Sequence, residues 1–378
     1  MDYGYEQIPQ NRGIINSVHL ADLHFGAFKP KLQYEILKEQ VLDNISLIPK
    51  LDVIAIDGDI FDHKVLSNSD AAMYATIFIN DLVMLCKSRN ITLVLLSGTY
   101  SHDFDQLKLF YHYLNDSSVD IRIVTTIKFE MIKGMRVLCI PELYGVDESV
   151  YKHFFFESGW YDEAFVHGTF KGSVYGDNVG AGRLLTPQDF IYCKGVAIAG
   201  HVHKSGCFNG FFYYCGCPYR WKFGEEEEKG FLVVSHDLDT QIHYVHFEKI
   251  ESFRYITIYL DELVSEDPKK IIDYINNIKN EQNIDFIKVR FRIPISGSNK
   301  TIINNYYRNN SNTFVEFMDA KEAEEHKQQE LIKQNSKYNY LIDKSISDFE
   351  RFVRYVNESE GHQFITVQQL NELLSDQI

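Results

Sequence analysis

The sequence predicts an α/β fold in which a β-sheet sandwich is flanked by helices, followed by a small α+β unit and a helical tail. Three observations predict this. Short apolar strands alternate with helical stretches early in the chain, the middle is rich in strands, and the pattern changes after Ile250. Strand–helix–strand units of this spacing indicate parallel strands with helices packed outside them.

The individual elements follow from the period of the apolar residues. In 31–48 they recur near every 3.6 residues, which is typical of a helix with one buried face. The predicted helices are 31–48, 69–86 and 105–114, and the predicted strands are 14–20, 52–56, 91–96, 164–166, 196–199, 211–214 and 231–234.

Beyond residue 250 the sequence predicts a small α+β unit. Strands are expected at 254–260 and 286–293, with a helix at 268–278 between them. The polar, Asn-rich stretch 297–312 is predicted to be a loop.

From residue 320 the chain is charged and predicted to be helical. It carries one apolar stripe, formed by Ile342, Ile346, Phe349, Val353 and Val356. The stripe either packs on the chain's own core or docks on a partner. These changes of character predict three regions, at 1–249, 250–319 and 320–378.

Composition limits the class of protein. The 378 residues carry a formal net charge of −15, which is unusual for a nucleic-acid binder unless metals or a partner offset it. Residues 1–12 have no signal-peptide pattern and no apolar run of about 18 residues occurs, so we expect a cytoplasmic protein without a membrane span. Cys215 and Cys217 form only a weak zinc motif, and reduced structural thiols are the expectation.

Histidine and aspartate residues cluster directly after predicted strands, where active sites form in open α/β sheets. The clusters are Asp22 and His24; Asp57, Asp59 and Asp62; His102 and Asp103; His167; and His201 and His203. Two neighbouring divalent cations require a bridging carboxylate together with imidazole and oxygen ligands. Alternation along an extended chain places both residues of D-x-H or H-x-H on one side, and glycines at 58, 98, 168 and 200 allow tight turns. One such motif would be a weak signal, but five in order predict a metal site.

In order, the motifs D-L-H, G-D-I-F-D, G-T-Y-S-H-D, H-G and G-H-V-H resemble those of the calcineurin-like metallophosphoesterase superfamily. The stretch 214–231, Y-C-G-C-P-Y-R-W-K-F-G-E-E-E-E-K-G-F, resembles that of SbcD-type nucleases, with Cys217 where serine is usual. The resemblance covers residues 14–295 well and implies a metallophosphoesterase β-sandwich at 1–249. It also implies a DNA-contacting capping domain at 250–319 and a tail that docks on a partner ATPase.

The resemblance also implies roles for individual residues. One metal would be bound by Asp22, His24, Asp59 and His203, and the second by Asp59, His167, His201 and a ligand from the third loop, with Asp59 as the bridge. His102 would contact the phosphate and protonate the leaving oxygen, and Asp62 would orient His102. A metal-bound hydroxide would attack phosphorus.

The third loop departs from the family pattern G-N-H-D, in which the asparagine binds the second metal. Aligning H-D with H-D puts Ser101 at that position, and Thr99 is the other candidate. A neutral hydroxyl is a poorer ligand than an amide oxygen, so the second metal is expected to be the weaker one. The run of four glutamates at 225–228 is expected to be a solvated loop.

The function implied is that of a DNA exonuclease and endonuclease in an SbcCD-like repair and recombination complex. It would use two Mn²⁺, with Mg²⁺ less effective, and would work with DNA, an SbcC-like SMC-type ATPase and a second copy of itself. It would act in the cytoplasm, or in the host cytoplasm if a phage encodes it. The alternatives are a phosphoesterase with another substrate and a non-catalytic scaffold of the same fold.

Overall fold

The computed structural model describes residues 12–173, 183–225, 227–262, 264–293, 295–308, 312–317, 346–360, 366, 368 and 369. The chain divides into two compact units, Met1–Arg254 and Tyr255–Ile378. Residues 320–345, with Ile342 of the predicted apolar stripe, lie outside the described residues, as does the Phe349 side chain. The docking role predicted for the tail stays a prediction.

Two six-stranded sheets form the first unit. Their strands are β1 Ile14–Leu20, β2 Val53–Asp57, β3 Thr92–Leu96, β4 Asp120–Val124, β5 Lys128–Ile132, β6 Met135–Ile140, β7 Glu163–His167, β8 Ala197–Gly200, β9 Gly206–Phe208, β10 Phe212–Tyr214, β11 Lys229–Asp237 and β12 Ile242–Ile250. One sheet has the order β12-β11-β1-β2-β3-β4 and the other β5-β6-β7-β8-β10-β9.

Both sheets have a parallel centre. Strands β1 to β4 pair in parallel in the first sheet, and β6, β7, β8 and β10 do so in the second. Three of the four edge strands are antiparallel to their neighbours. Strand β12 pairs with β11, β5 with β6 and β9 with β10. The carboxyl ends of several parallel strands therefore lie together in each sheet, which is where loop side chains can converge.

The two sheets share a core. One cluster of fully buried side chains draws Val53 and Val94 from the first sheet and Val137 and Phe165 from the second. Such strands are buried on both faces, which explains their nearly continuous apolar sequences. The predicted mixed α/β class with helices outside the sheets is confirmed at this level.

Helices pack on both sheets. Those whose side chains join the core of the first sheet are α1 Pro30–Ile36, α2 Asp43–Leu47 and α3 Asp70–Arg89, with a π-helical turn at Leu37–Leu42 and a 3₁₀ turn at Gln106–Asn115. The one-turn helix α4 is Tyr100–Asp103, and α5 Glu148–Lys152, the π-helical turn His153–Glu157 and the 3₁₀ turn Pro187–Phe190 pack with the second sheet. The predicted helix 31–48 is thus α1, a π turn and α2 in succession. Helix α3 begins at its N-cap Ser69, whose hydroxyl accepts from the Ala72 amide.

Among the described residues, α3 is the one helix long and apolar enough to cross a membrane by length and composition. Core helices of soluble proteins pass the same test. Its Phe78, Ile79 and Leu82 are fully buried in the core beside β2 and β3, which is the packing of a core helix.

The second unit has the order β13 Tyr255–Leu260, α6 Pro268–Glu281, β14 Phe286–Phe291, α7 Gly297–Tyr307, β15 Thr313–Phe317 and α8 Asp348–Glu360. Strands β13, β14 and β15 pair in parallel. The prediction of a loop at 297–312 is wrong, because α7 occupies most of it. Ser296 caps this helix by accepting from the Asn299 amide, and Ile303 and Tyr307 bury one face. Because most residues of this stretch are polar, its narrow apolar face was not recognised in the sequence.

Candidate metal centre

The candidate residues follow five parallel strands, β1, β2, β3, β7 and β8. Backbone hydrogen bonds tie their loops together. The Asp22 amide donates to the Gly58 carbonyl at 3.1 Å, and the His24 amide donates to the Asp59 carbonyl at 3.0 Å. The Thr99 amide donates to Asp59 Oδ1 at 2.6 Å. The first two loops are thus joined by main-chain hydrogen bonds, and the third is joined to the second through the Asp59 carboxylate.

A first ligand group consists of Asp22, His24 and His203, whose donor atoms lie within 4.8 Å of one another. The two imidazole Nε2 atoms, of His24 and His203, are 3.0 Å apart. Two ligands bound at about 2.1 Å and at right angles on one ion have about this separation. Asp22 is fully buried, and its carboxylate accepts from the His201 amide at 3.0 and 3.1 Å.

A second ligand group consists of Asp59, His167 and His201. His167 Nδ1–H donates to the Asp57 carbonyl at 2.7 Å, because a carbonyl only accepts. The lone pair of the neutral ring is therefore on Nε2, which faces Asp59 Oδ2 at 3.3 Å. Fixing the tautomer through a backbone carbonyl is the usual way in which a protein orients a metal-binding histidine.

Asp59 lies between the two groups. Its Oδ2 is 3.3 Å from His167 Nε2 and 4.0 Å from His24 Nε2. It is 2% exposed, so water does little to solvate its charge. This donor set of carboxylates and imidazoles is of the kind that binds divalent transition-metal ions, and Asp59 lies near residues of both groups.

His102, on α4, contacts the rim of the first group. Its ring centroid is 4.8 Å from that of His24, and its Nδ1 donates to the backbone carbonyl of Asp62. The predicted orientation of His102 by Asp62 thus occurs through the main chain. The Asp62 carboxylate is directed toward two other histidines. Its Oδ1 lies 3.5 Å from His24 Nδ1, and its Oδ2 lies 3.0 Å from His63 Nδ1.

In the third loop, Thr99 brings a hydroxyl to the cluster, whereas Ser101 is exposed. Thr99 Oγ1 is 3.3 Å from Asp59 Oδ2, 3.3 Å from His167 Nε2 and 3.4 Å from His201 Nδ1. The assignment of Ser101 as the third-loop ligand is therefore not supported, and the alternative, Thr99, occupies that place. Ser101 lies within the one-turn helix α4, which turns its side chain away from His102 and Asp103.

Glu142, after β6, was not predicted as a site residue. Its Oε2 lies 2.9 Å from Thr99 Oγ1, 3.4 Å from His201 Nδ1 and 3.9 Å from His167 Nε2. Only 4% of its side chain is exposed. It follows a strand end like the other clusters, but with no histidine beside it the motif pattern did not reveal it.

Glu225 was predicted to lie in a solvated loop, and this is wrong. The residue is 6% exposed, and its Oε1 lies 3.5 Å from His203 Nδ1. Its Oε2 accepts from the Trp221 amide at 3.2 Å. A carboxylate behind the far nitrogen of a histidine raises the basicity of the nitrogen that faces the metal. The end of the run matches the prediction better, because Glu228 is well exposed and pairs with Lys249 at 2.5 Å.

Backbone strain is concentrated at the centre. Four candidate ligands have positive φ angles, namely Asp22 at 55°, His24 at 46°, Asp59 at 53° and His201 at 91°. Residues other than glycine seldom adopt this region, at a cost of about 1–3 kcal/mol each. Strain at four candidate ligands of one cluster means that the fold holds these side chains in place at a cost in stability, which is a feature of functional sites.

Charge within the cluster favours a bound cation. Burial raises the pKa of Asp22 and lowers that of His24. Burial also disfavours the charged forms of Asp59 and His167. The attraction between the Asp59 carboxylate and the His167 imidazolium nevertheless lowers the pKa of Asp59 and raises that of His167. The space beside Asp59 thus attracts positive charge, and a divalent cation supplies more of it than a proton does.

Asp103 and Gly98 shape the loop that holds Asp59. The Asp103 carboxylate accepts from the amides of Asp59 at 3.1 Å, Gly98 at 2.7 Å and Phe61 at 3.1 Å. Burial, with the charge of Asp59 next, raises the pKa of Asp103 to about 7. A Cβ added at Gly98 would lie 2.2 Å from both the backbone nitrogen and Oδ1 of Asp59, so only glycine fits at this position.

All six cysteines are free in the structure. Cys217 Sγ donates to the Tyr219 carbonyl at 3.0 Å, and Cys215 Sγ lies 3.7 Å from Asp57 Oδ2. Both are buried beneath the centre. Their separate partners favour a packing role for the C-x-C sequence.

No protein-family model matches the chain, and no curated protein does. Among solved structures 26 chains match. One of them aligns with 62% of this chain and 99% of its own length, at 12% sequence identity and a TM-score of 0.35. At that TM-score the alignment does not establish a shared fold.

Proposed function

We propose that the chain is a two-metal phosphodiesterase of the calcineurin-like metallophosphoesterase superfamily, and that it cleaves DNA as SbcD-type nucleases do. The observation that carries the proposal is the position of Asp59 beside two ligand groups. One group consists of Asp22, His24 and His203, and the other of Asp59, His167 and His201. Asp59 Oδ2 also lies 4.0 Å from His24 Nε2 of the first group. Divalent cations bound by these residues would supply a nucleophilic water and neutralise charge on the phosphate.

The residues of the chain supply the remaining functions. His102 Nδ1–H is committed to the Asp62 carbonyl, which leaves Nε2 as the nitrogen that faces the substrate. A histidine in this position stabilises the phosphate charge and, when protonated, donates its proton to the leaving oxygen. Glu225 and Asp57 orient His203 and His167 from behind.

A cavity beside α4 favours a nucleic-acid substrate over a small phosphate ester. It has a volume of about 470 Å³, and Lys64, Tyr100 and Phe104 are among its lining residues. Tyr100 is 61% exposed, and Lys64 Nζ lies 5.6 Å from the Phe104 ring centroid. Exposed aromatic rings stack on bases and lysine attracts the backbone, so this cavity is suited to a nucleotide next to the scissile phosphate.

Mn²⁺ is the metal that the family resemblance implies, and the imidazole content of both groups disfavours Mg²⁺. Mg²⁺ prefers oxygen ligands and dehydrates reluctantly, so it should support less activity. The proposal includes a cytoplasmic location, a second copy of the chain and an SMC-type ATPase as partners. Size-exclusion chromatography of the chain, alone and mixed with a purified ATPase of that type, tests both partnerships.

End-labelled single- and double-stranded DNA should be cleaved by the purified chain in Mn²⁺, more slowly in Mg²⁺, and not in EDTA. Adding Mn²⁺ back after EDTA should restore cleavage. A parallel reaction with p-nitrophenyl phosphate and its phosphodiester analogue tests the alternative substrates. Hydrolysis of these esters without DNA cleavage would favour a phosphoesterase with another substrate, and activity in neither assay would favour the non-catalytic scaffold.

A further inference from the structure

Glu142 is the one carboxylate at the second ligand group that the family motifs do not provide. It follows β6 in the sequence P-E-L-Y, outside every His or Asp motif. Its Oε2 faces the same space as His167 Nε2 and His201 Nδ1, at 3.9 and 3.4 Å. We propose that Glu142 is a direct ligand of the second cation, in place of the amide oxygen that the family's third loop supplies. This inference rests on the proposed two-metal function.

The need to neutralise a buried charge supports this role. An ionised carboxylate removed from water is costly unless a positive partner compensates it. Among the described residues, the ion-pair partners of Glu142 are the imidazoles of His167 and His201, and neither Lys nor Arg pairs with it. Imidazoles that bind a metal are neutral, so the cation itself becomes the partner that compensates Glu142.

A hydroxyl group orients this carboxylate. Thr99 Oγ1 donates to Glu142 Oε2 at 2.9 Å, closer than the 3.3 Å to Asp59 Oδ2. Thr99 is therefore a positioning residue for Glu142, as a hydrogen-bonded neighbour behind a ligating carboxylate is in other metal sites.

A Glu142 ligand would change the relative Mn²⁺ affinity of the two sites. With Glu142 included, the second cation has Asp59, Glu142 and two imidazoles, and the first has Asp22, Asp59 and two imidazoles. The two sets match in charge and in ligand type. The second site should then bind Mn²⁺ about as tightly as the first, which reverses the expectation based on a neutral hydroxyl ligand.

The test is Mn²⁺ titration of the metal-free full-length chain by calorimetry, with low-temperature EPR to detect a spin-coupled Mn²⁺ pair. The wild type should bind two Mn²⁺ with similar affinities. Glu142→Gln keeps the side-chain shape but removes the charge, and should weaken one site by at least about 10-fold, since loss of an outer-shell partner alone already costs that much. Glu142→Ala should leave one Mn²⁺ and abolish the coupled signal. Glu148→Gln, on the exposed helix α5, is the matched control and should behave like wild type.

Binding of two Mn²⁺ by both Glu142 variants, with wild-type affinities, would overturn the role of Glu142 and leave the proposed function standing. A wild-type chain that binds no Mn²⁺ would defeat the proposed function itself and this inference with it. Glu142→Gln keeps the test decisive if Glu142→Ala does not fold, because the amide preserves the side-chain volume.

Discussion

Asp59→Asn is expected to abolish cleavage, with a fall of at least about 10²-fold, comparable to the loss of a main electrostatic stabiliser. Asp59 Oδ1 accepts from the Thr99 amide at 2.6 Å, so an asparagine would place its amide oxygen there. Its NH₂ group would then replace Oδ2 and point toward His24, His167 and both cations. The shared negative ligand is thereby replaced by a donor, and the cations repel it.

The measurement for Asp59→Asn is Mn²⁺ stoichiometry together with DNA cleavage and thermal unfolding. The variant should be folded, since the loop keeps the backbone bonds of Asp59 to Asp103 and His24. Asp116→Asn, at an exposed pair with Lys87, is the matched control and should be almost neutral. A folded Asp59→Asn protein with more than about a tenth of wild-type activity would contradict the shared-ligand assignment.

His102→Ala should reduce cleavage by about 10²–10⁴-fold while both cations and DNA remain bound. The donor atoms of His102 lie near those of His24 and Asp59, so geometry alone allows it to be a ligand or a catalytic residue. Its place at the rim, on α4 beside the cavity, favours contact with the substrate. Loss of catalysis without loss of metal distinguishes the two roles.

One preparation should be used for metal analysis, for DNA binding and for single-turnover cleavage. His112→Ala is the matched control, because His112 Nδ1 also donates to a backbone carbonyl, that of Leu109, but at an exposed position. It should retain full activity. Loss of a cation in His102→Ala would show instead that His102 is a ligand.

The sequence predicted most of the candidate ligands because each motif follows a strand. Parallel strands bring their ends to one edge, so Asp22, His24, Asp59, His167 and His203 could be expected to meet before any contact was known. The D-x-H spacing predicted that Asp22 and His24 meet in one ligand group, although both have positive φ angles and the chain there is not extended. The H-x-H spacing did not predict the outcome for His201 and His203, which lie in different groups.

The residues that the sequence analysis missed depend on pairing and on local turns. Glu142 reaches the centre because β6 pairs with β7, and nothing in P-E-L-Y specifies that neighbour. Thr99 and not Ser101 faces the centre because α4 begins between them, which alignment by H-D alone ignored. Glu225 is buried behind His203 because of tertiary packing, although its sequence of four glutamates favours a solvated loop.

The most direct test of the two-cation centre is anomalous diffraction from crystals of the chain soaked in Mn²⁺. Two peaks are expected about 3.5–4 Å apart, with Asp59 between them. One should lie beside Asp22, His24 and His203, and the other beside His167, His201 and Glu142. A single peak, or peaks that do not share Asp59, would contradict the two-cation centre.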